Sequence, residues 1–278
     1  MIRINEIKLP LEADETELKA KVCRALRCSE DNIKSITFLK KSIDSRDKEN
    51  ICFVYNLAVE VNGNENSLLK HSRNSKVSLY EREVYNMPEN RRTSTLRPVI
   101  VGFGPAGFTA GLILARAGLK PLIIERGADV DTRTGHVKKF WSERKLNTES
   151  NVQFGEGGAG TFSDGKLTTG IKSPFCQTVI DELVKHGAPE EIAYSATPHI
   201  GTDRLAGVVK SIRNEIIALG GEVRFNTKLS DLIIANNSIF GITVINPDKS
   251  VTDIETDTLL LCIGHSARRS EEHTSELQ

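Results

Sequence analysis

The sequence predicts an α/β protein: a main domain with a parallel sheet, a small N-terminal β-α-β-β domain and an α+β insertion. Three observations carry this. The chain has 278 residues, more than one hydrophobic core usually organises. A short apolar strand, a glycine turn and a helix follow one another in "RPVIVGFGPAGFTAGLILARAG", residues 97–118. From Glu222 to Asp257, apolar and polar residues alternate between turn signals. Apolar residues make up 38% and charged residues 27%, a globular balance. The 37 Lys and Arg match the 37 Asp and Glu, so neither nucleic acid nor a membrane surface is expected as a partner.

The elements follow in order. "IRINEIKLPL" reads as a strand. "DETELKAKVCRALRC" has an acidic start and apolar residues at helical spacing. "IKSITFLKKSIDSR" and "ICFVYNLAVEV" are rich in β-branched and aromatic residues and read as strands. The next thirty or so residues show little apolar periodicity and read as a connector, so residues 1–92 form the N-terminal domain with its connector. "RPVIVGFG" is a strand ending in glycine, "PAGFTAGLILARAG" a helix closed by Gly118, and "KPLIIERG" a second buried strand. A polar stretch containing "GHVKKFWSERKLNTES" leads to a second glycine-rich loop. "SPFCQTVIDELVKHGAP" and "GTDRLAGVVKSIRNEIIALGG" read as helices stopped by glycine and proline. "EVRFNTKLSDLIIANNSIFGITVINPDKSVTDIETD" reads as an antiparallel meander, and "TLLLCIG" as a final buried strand. The main domain then comprises 93–172 and 258–268, with 173–257 as an insertion on the substrate side. Arg269–Gln278, "RSEEHTSELQ", reads as the in-frame translation of a common sequencing adapter, so a non-native tail on a fragment is expected.

The N-terminus has no signal-peptide pattern. The five cysteines (Cys23, Cys28, Cys52, Cys176 and Cys262) form no CxxC pair and have no metal-ligand spacing. Reduced thiols, a cytoplasmic location and no metal are expected. The uncharged run between Arg97 and Arg116 is broken by Gly102, Gly104, Pro105, Gly107 and Gly111. It fits strand-turn-helix better than a membrane span.

Gly102-Phe103-Gly104-Pro105-Ala106-Gly107 matches G-x-G-x-x-G after a strand and before a helix. Gly102 permits the tight turn, Gly104 lets a pyrophosphate approach the backbone, and Gly107 allows helix to pack on strand. Pro105 suits a first helical position, and the free N–H groups behind it suit phosphate. Glu125 lies 23 residues after Gly102 and can accept from a ribose hydroxyl while repelling a 2′-phosphate. This is a Rossmann-like pattern. It leaves FAD and NAD both open.

The second loop, "NVQFGEGGAGTFSDGKLTTG", holds six glycines in residues 151–170 and lacks P-loop spacing. Glycines expose N–H groups that can nest an anion. A second such loop suggests a ligand as extended as FAD.

Together "VIVGFGPAGFTAGLILARAGLKPLIIERG", "NVQFGEGGAGTFSDGKLTTG", "HIGTDRL" and "LLLCIGHSAR" resemble a poorly characterised family of bacterial FAD-dependent oxidoreductases, flavoproteins with two dinucleotide-binding domains. The resemblance implies that Gly102, Gly104, Pro105, Ala106 and Gly107 hold the pyrophosphate of FAD and Glu125 its ribose, with Arg126 near the adenine. It places Gly157, Gly158, Ala159, Gly160, Thr161, Ser163, Asp164 and Lys166 along the pyrophosphate, ribityl chain or flavin edge. Leu229, beside Lys228, would meet the adenine. Gly264 would close the strand returning beside the cofactor. The late Gly-Asp motif of such flavoproteins does not follow here. The chemistry expected is hydride transfer to or from flavin N5 on a small-molecule substrate, with either NAD(P)H as co-substrate or an organic partner.

Other residues carry two readings each. His265 can face cofactor or substrate, or cap a turn. His199 and Asp203 favour helix capping. Lys166 can meet phosphate or flavin, Cys262 reads as core, and Phe140 and Trp141 favour core packing. No nucleophile–base set stands out, so no catalytic residue is assigned. Two rival functions are an NAD-binding dehydrogenase without flavin, and a non-redox flavoprotein acting in RNA modification or binding.

Overall fold

The computed structural model describes residues 1–266 apart from 88, 163, 164, 168 and 172. In chain order the helices are α1 (Glu15–Leu26), α2 (Glu65–Ser72), α3 (Pro105–Arg116), α4 (Val130–Glu143), α5 (Pro174–Lys185) and α6 (Thr202–Ala218). The strands are β1 (Ile2–Pro10), β2 (Ile33–Asp44), β3 (Cys52–Val61), β4 (Val77–Leu79), β5 (Val99–Val101), β6 (Leu122–Ile124), β7 (Glu222–Arg224), β8 (Lys228–Ala235), β9 (Ser238–Ile245), β10 (Val251–Glu255) and β11 (Leu259–Leu261). They divide between two units. One holds residues 1–85, 167–184 and 189–198, and the other holds 86–166, 185–188 and 199 onward. The stretch 173–257, expected as one insertion, is thus shared between the two.

The first unit is an antiparallel sheet in the order β2-β3-β1-β4. Alternate residues of β1 and β3, among them Ile2, Ile4, Leu57 and Val59, share a core with Leu18, Val22 and Leu26 of α1. Asp14 starts α1 by accepting from the Glu17 N–H at 2.9 Å. The connector expected after residue 61 instead supplies α2 and β4. Asn64 caps α2 by accepting from the Ser67 N–H at 3.2 Å, and β4 pairs with β1 through Ile4–Val77. Eight and three residues are too short to display a period. On the far edge, Lys41 of β2 donates its N–H to the Tyr194 carbonyl at 2.7 Å and accepts from Ala196 at 2.9 Å.

The second unit has a parallel sheet in the order β11-β5-β6-β7. Val99, Val101, Leu122 and Ile124 face Ile242 and Val244 of the antiparallel meander β8-β9-β10. On the other face Ile123 meets α3 and α6 at Gly111, where an added Cβ would lie 2.5 Å from its Cδ1 and 3.1 Å from Ile216 Cδ1. The result is meander, sheet and helices in three layers. One expectation is corrected here, and one stretch left without an element gains one. "EVR" does not open the meander; it pairs with β6 in the parallel sheet, because α6 returns the chain to that edge as a crossover helix does. The polar stretch around residue 136 is mostly α4. Asp129 caps it, accepting from Asp131 and Thr132, while Val130, Arg133 and Val137 are buried.

Among the described residues, no helix is long and apolar enough to cross a membrane. None of their His, Cys, Asp and Glu side chains group in threes that could hold a metal ion.

Candidate cofactor site

Ligands of open α/β sheets sit beyond the carboxyl ends of the strands. Here those ends, at β5, β6 and β11, open into a cavity of about 660 Å³, within the usual size of a ligand site. The first glycine turn forms one wall, and its glycines have different causes. Gly102 has φ +100°, and a Cβ there would lie 2.4 Å from the Cys262 carbonyl oxygen. At Gly107 a Cβ would lie 1.8 Å from the Gly102 carbonyl oxygen. The backbone's own packing demands both. Gly104 differs: its φ of −81° suits any residue, and an added Cβ would approach only Gly158 Cα, at 3.8 Å. Gly104 is also the N-cap of α3, with no side-chain cap bond there and Pro105 following.

The second loop packs directly on the first. The Gly157 N–H donates to the Phe103 carbonyl at 2.8 Å. A Cβ at Gly158, where φ is +68°, would lie 3.3 Å from Gly104 Cα and Pro105 Cδ. Glu125 ties the arrangement together: buried at the end of β6, its carboxylate accepts from the Phe103 N–H at 2.8 Å and the Gly127 N–H at 2.9 Å. Each oxygen keeps lone-pair capacity for another donor.

What shapes the second loop is Arg133, which is fully buried. Its guanidinium donates to the carbonyls of Asn151 (2.8 Å), Val152 (3.0 Å), Gly155 (3.2 Å) and Glu156 (2.6 Å). It also sits 4.7 Å from the centre of the Phe162 ring. Burial pushes its pKa down to about 10, while Glu125 and Glu156 pull it up. Glu156, also fully buried, accepts through Oε2 from the Val130 N–H at 2.7 Å and from Arg213 at 2.8 Å. Its Oε1 has no hydrogen-bond partner among the described residues. Burial pushes this carboxyl upward, outweighing the Val130 and Arg213 bonds.

Of the residues expected to bind a cofactor, Gly102, Gly104, Pro105, Ala106, Glu125, Arg126, Gly158, Ala159, Leu229 and Gly264 line the cavity. Gly107 lies behind the turn. Gly157, Gly160 and Thr161 are not part of the lining either: Thr161 is buried and donates to the Glu156 carbonyl at 3.4 Å, and a Cβ at Gly157 would strike its Oγ1 at 2.1 Å. Lys166 is not in the lining and bridges His199 through the backbone. Ser163 and Asp164 lie outside the described residues. Cys262, read as core, is instead half-buried in the cavity wall, and burial pushes its thiol up. His265 also lines the cavity. Arg126 is held by Glu149 at 2.6 Å and lies 4.4 Å from the centre of the Phe154 ring.

Sequence reasoning missed Arg133, Glu156, Arg213 and Phe154. The signal for Arg133 was present, since Asp129, Val130, Arg133 and Val137 have the spacing of a capped helix with one buried face. The other three depend on contacts distant in sequence.

Fold and site define a Rossmann-like α/β unit whose glycine-rich loops meet at one cavity, and, described by itself, a unit with a four-stranded antiparallel sheet that holds the N-terminal residues. Residues 1–60 match the family described as a domain of unknown function (DUF8436). An uncharacterized protein of Clostridium beijerinckii is 47% identical over 272 residues, which is 98% of this chain and 50% of that protein. The chain thus spans about half the length of the curated relative it matches. Among solved structures, the THI4 of Thermovibrio ammonificans is similar with a TM-score of 0.42 at 16% identity, over 66% of this chain and 64% of that one. The glycerol-3-phosphate dehydrogenase of Bacillus halodurans, complexed with FAD, has a TM-score of 0.40 at 11% identity, over 65% and 36%. The glycine oxidase of Bacillus cereus has 0.37 at 12%, over 60% and 55%.

Proposed function

We propose that this chain is the FAD-binding part of an oxidoreductase acting on a small molecule, with NAD(P)H as the other redox partner. The observation that carries this is Gly104. Gly102 and Gly107 are closed in by backbone and Gly158 is crowded by Gly104 Cα and Pro105 Cδ, but the Gly104 Cβ position is open beside the uncapped start of α3, in the cavity wall. A glycine that the fold does not require, at a helix N-terminus, suits the close approach of a pyrophosphate.

The other lining residues fit the rest of such a ligand. Glu125 keeps two N–H bonds and has capacity left to accept from a ribose hydroxyl. Leu229 and the Arg126–Phe154 stack give flat and apolar surface for an adenine. Gly158 and Ala159 carry the second loop along the ligand's length, and Cys262 and Ile263 keep the adjacent wall apolar. FAD, when bound, supplies the hydride and electron chemistry. The protein binds it, orients it and keeps water from one side. The test is to mix the FAD-loaded protein with NADH or NADPH without oxygen. Bleaching of the flavin absorbance is expected, and an unchanged spectrum with both would argue against nicotinamide as the partner.

A further inference from the structure

The helix α1 ends in a turn whose chemistry the cofactor site does not use. Arg27 adopts the left-handed conformation, with φ 53° and ψ 48°. The Cys28 N–H donates back to the Cys23 carbonyl at 3.1 Å, and the Arg27 N–H to the Arg24 carbonyl at 3.4 Å. This pair of bonds is the Schellman closure, which brings the third residue before the cap and the second after it into side-chain contact. Apolar residues usually fill those two places. Here both are cysteines, so the closure sets the two side chains next to each other on one turn. Both are partly exposed and reduced, with the Lys19–Glu30 ion pair close by. Cys28 also packs against the sheet-and-helix core of its unit.

We propose that Cys23 and Cys28 form a reversible dithiol–disulfide pair that takes a hydroperoxide as its oxidant. The thiolate of one cysteine attacks a peroxide oxygen; the O–O bond breaks, and water or an alcohol leaves. The resulting sulfenic acid is attacked by the second thiolate, which forms the S–S bond and releases water. Two electrons pass from the thiols to the peroxide, and the two thiol protons go into the products. An external thiol reverses the step by exchange. Burial pushes both thiols up, so the pair stays reduced until an oxidant is supplied and reacts slowly at neutral pH. The pairing is local to one turn and does not depend on the reading of the cofactor site.

The test treats the purified protein with hydrogen peroxide, blocks remaining thiols with iodoacetamide, and maps peptides without reduction. A Cys23–Cys28 link is expected, with Cys52, Cys176 and Cys262 alkylated. Dithiothreitol should restore both thiols. In Cys28→Ser, Cys23 should stop at the sulfenic acid or oxidise further. Alkylation of both Cys23 and Cys28 after treatment, as in untreated protein, would overturn the proposal. So would links to other cysteines or between chains, or over-oxidation of the wild-type pair without a link.

Discussion

At the scale of single residues, the first glycine turn separates positions that look alike in sequence. G-x-G-x-x-G marks Gly102, Gly104 and Gly107, and all three were legible as a motif. The motif assigned the turn to Gly102, pyrophosphate approach to Gly104 and helix packing to Gly107; what it does not show is the contacts themselves, the Cys262 carbonyl that closes in Gly102, the Gly102 carbonyl that closes in Gly107, and the space left at Gly104. Gly104→Val is therefore expected to keep its circular dichroism and melting temperature while FAD binding weakens by about tenfold or more. Gly107→Ala, with a Cβ forced to 1.8 Å from a carbonyl oxygen, is expected to lose about 3 kcal/mol or more of stability. If the two variants behaved alike in denaturation and in FAD titration, the distinction between them would be lost. The sequence expects Glu125 to accept from a ribose, but its bonds to the Phe103 and Gly127 N–H groups were not legible. In Glu125→Gln the new amide NH2 would face Phe103 or Gly127, donor against donor. Stability should fall by about 1–3 kcal/mol along with FAD affinity, as urea denaturation would register; unchanged stability would show that the two N–H bonds are dispensable.

At the scale of elements, the strand-turn-helix of 99–116 was readable because its signals are local: apolar run, glycines, proline at the first helical position. The second loop was readable only as glycine-rich. Its shape comes from Arg133, whose partners are carbonyls of residues 151–156; no side-chain pattern encodes bonds to backbone. Arg133→Leu would leave those carbonyls without their donor, each costing about 1–3 kcal/mol if it stays buried. Severe destabilisation is expected, with partial recovery in Arg133→Lys; a stable Leu variant would refute the clamp. Glu156 gives a pH test. Its carboxyl is raised above the ordinary 4.5 by burial, so the folded state binds its proton more tightly than the unfolded chain. That contribution to stability is complete below 4.5 and is lost as pH rises through the folded-state value. The stability of wild type relative to Glu156→Gln should therefore increase as pH falls from neutral toward 4.5, measured by denaturant melts at each pH. A difference that stays constant would mean that Glu156 titrates normally. The short α2 and β4 and the β7 strand escaped the sequence reading for a related reason. Three to eight residues carry too little pattern, and β7 is assigned to its sheet by the crossover through α6 rather than by its own residues.

At the scale of the whole molecule, the α/β character and the antiparallel meander could be read from local signals, since strands of five to eight residues rich in Ile and Val stand between Asn-Asn-Ser and Pro-Asp-Lys-Ser turns. The division into units could not, because residues 167–184 and 189–198 group with the N-terminal sheet through contacts such as Lys41 with Tyr194 and Ala196. What unites the second unit is the convergence of both glycine loops, Glu125 and the β11 return on one cavity. The direct test of that convergence is calorimetric titration of the purified protein with FAD and, separately, with NAD, repeated on Gly104→Val. The account predicts saturable one-to-one binding of FAD, markedly weaker binding of NAD, and loss of the FAD signal in the variant. Tight binding of NAD with none of FAD, or undiminished FAD binding by Gly104→Val, would contradict it.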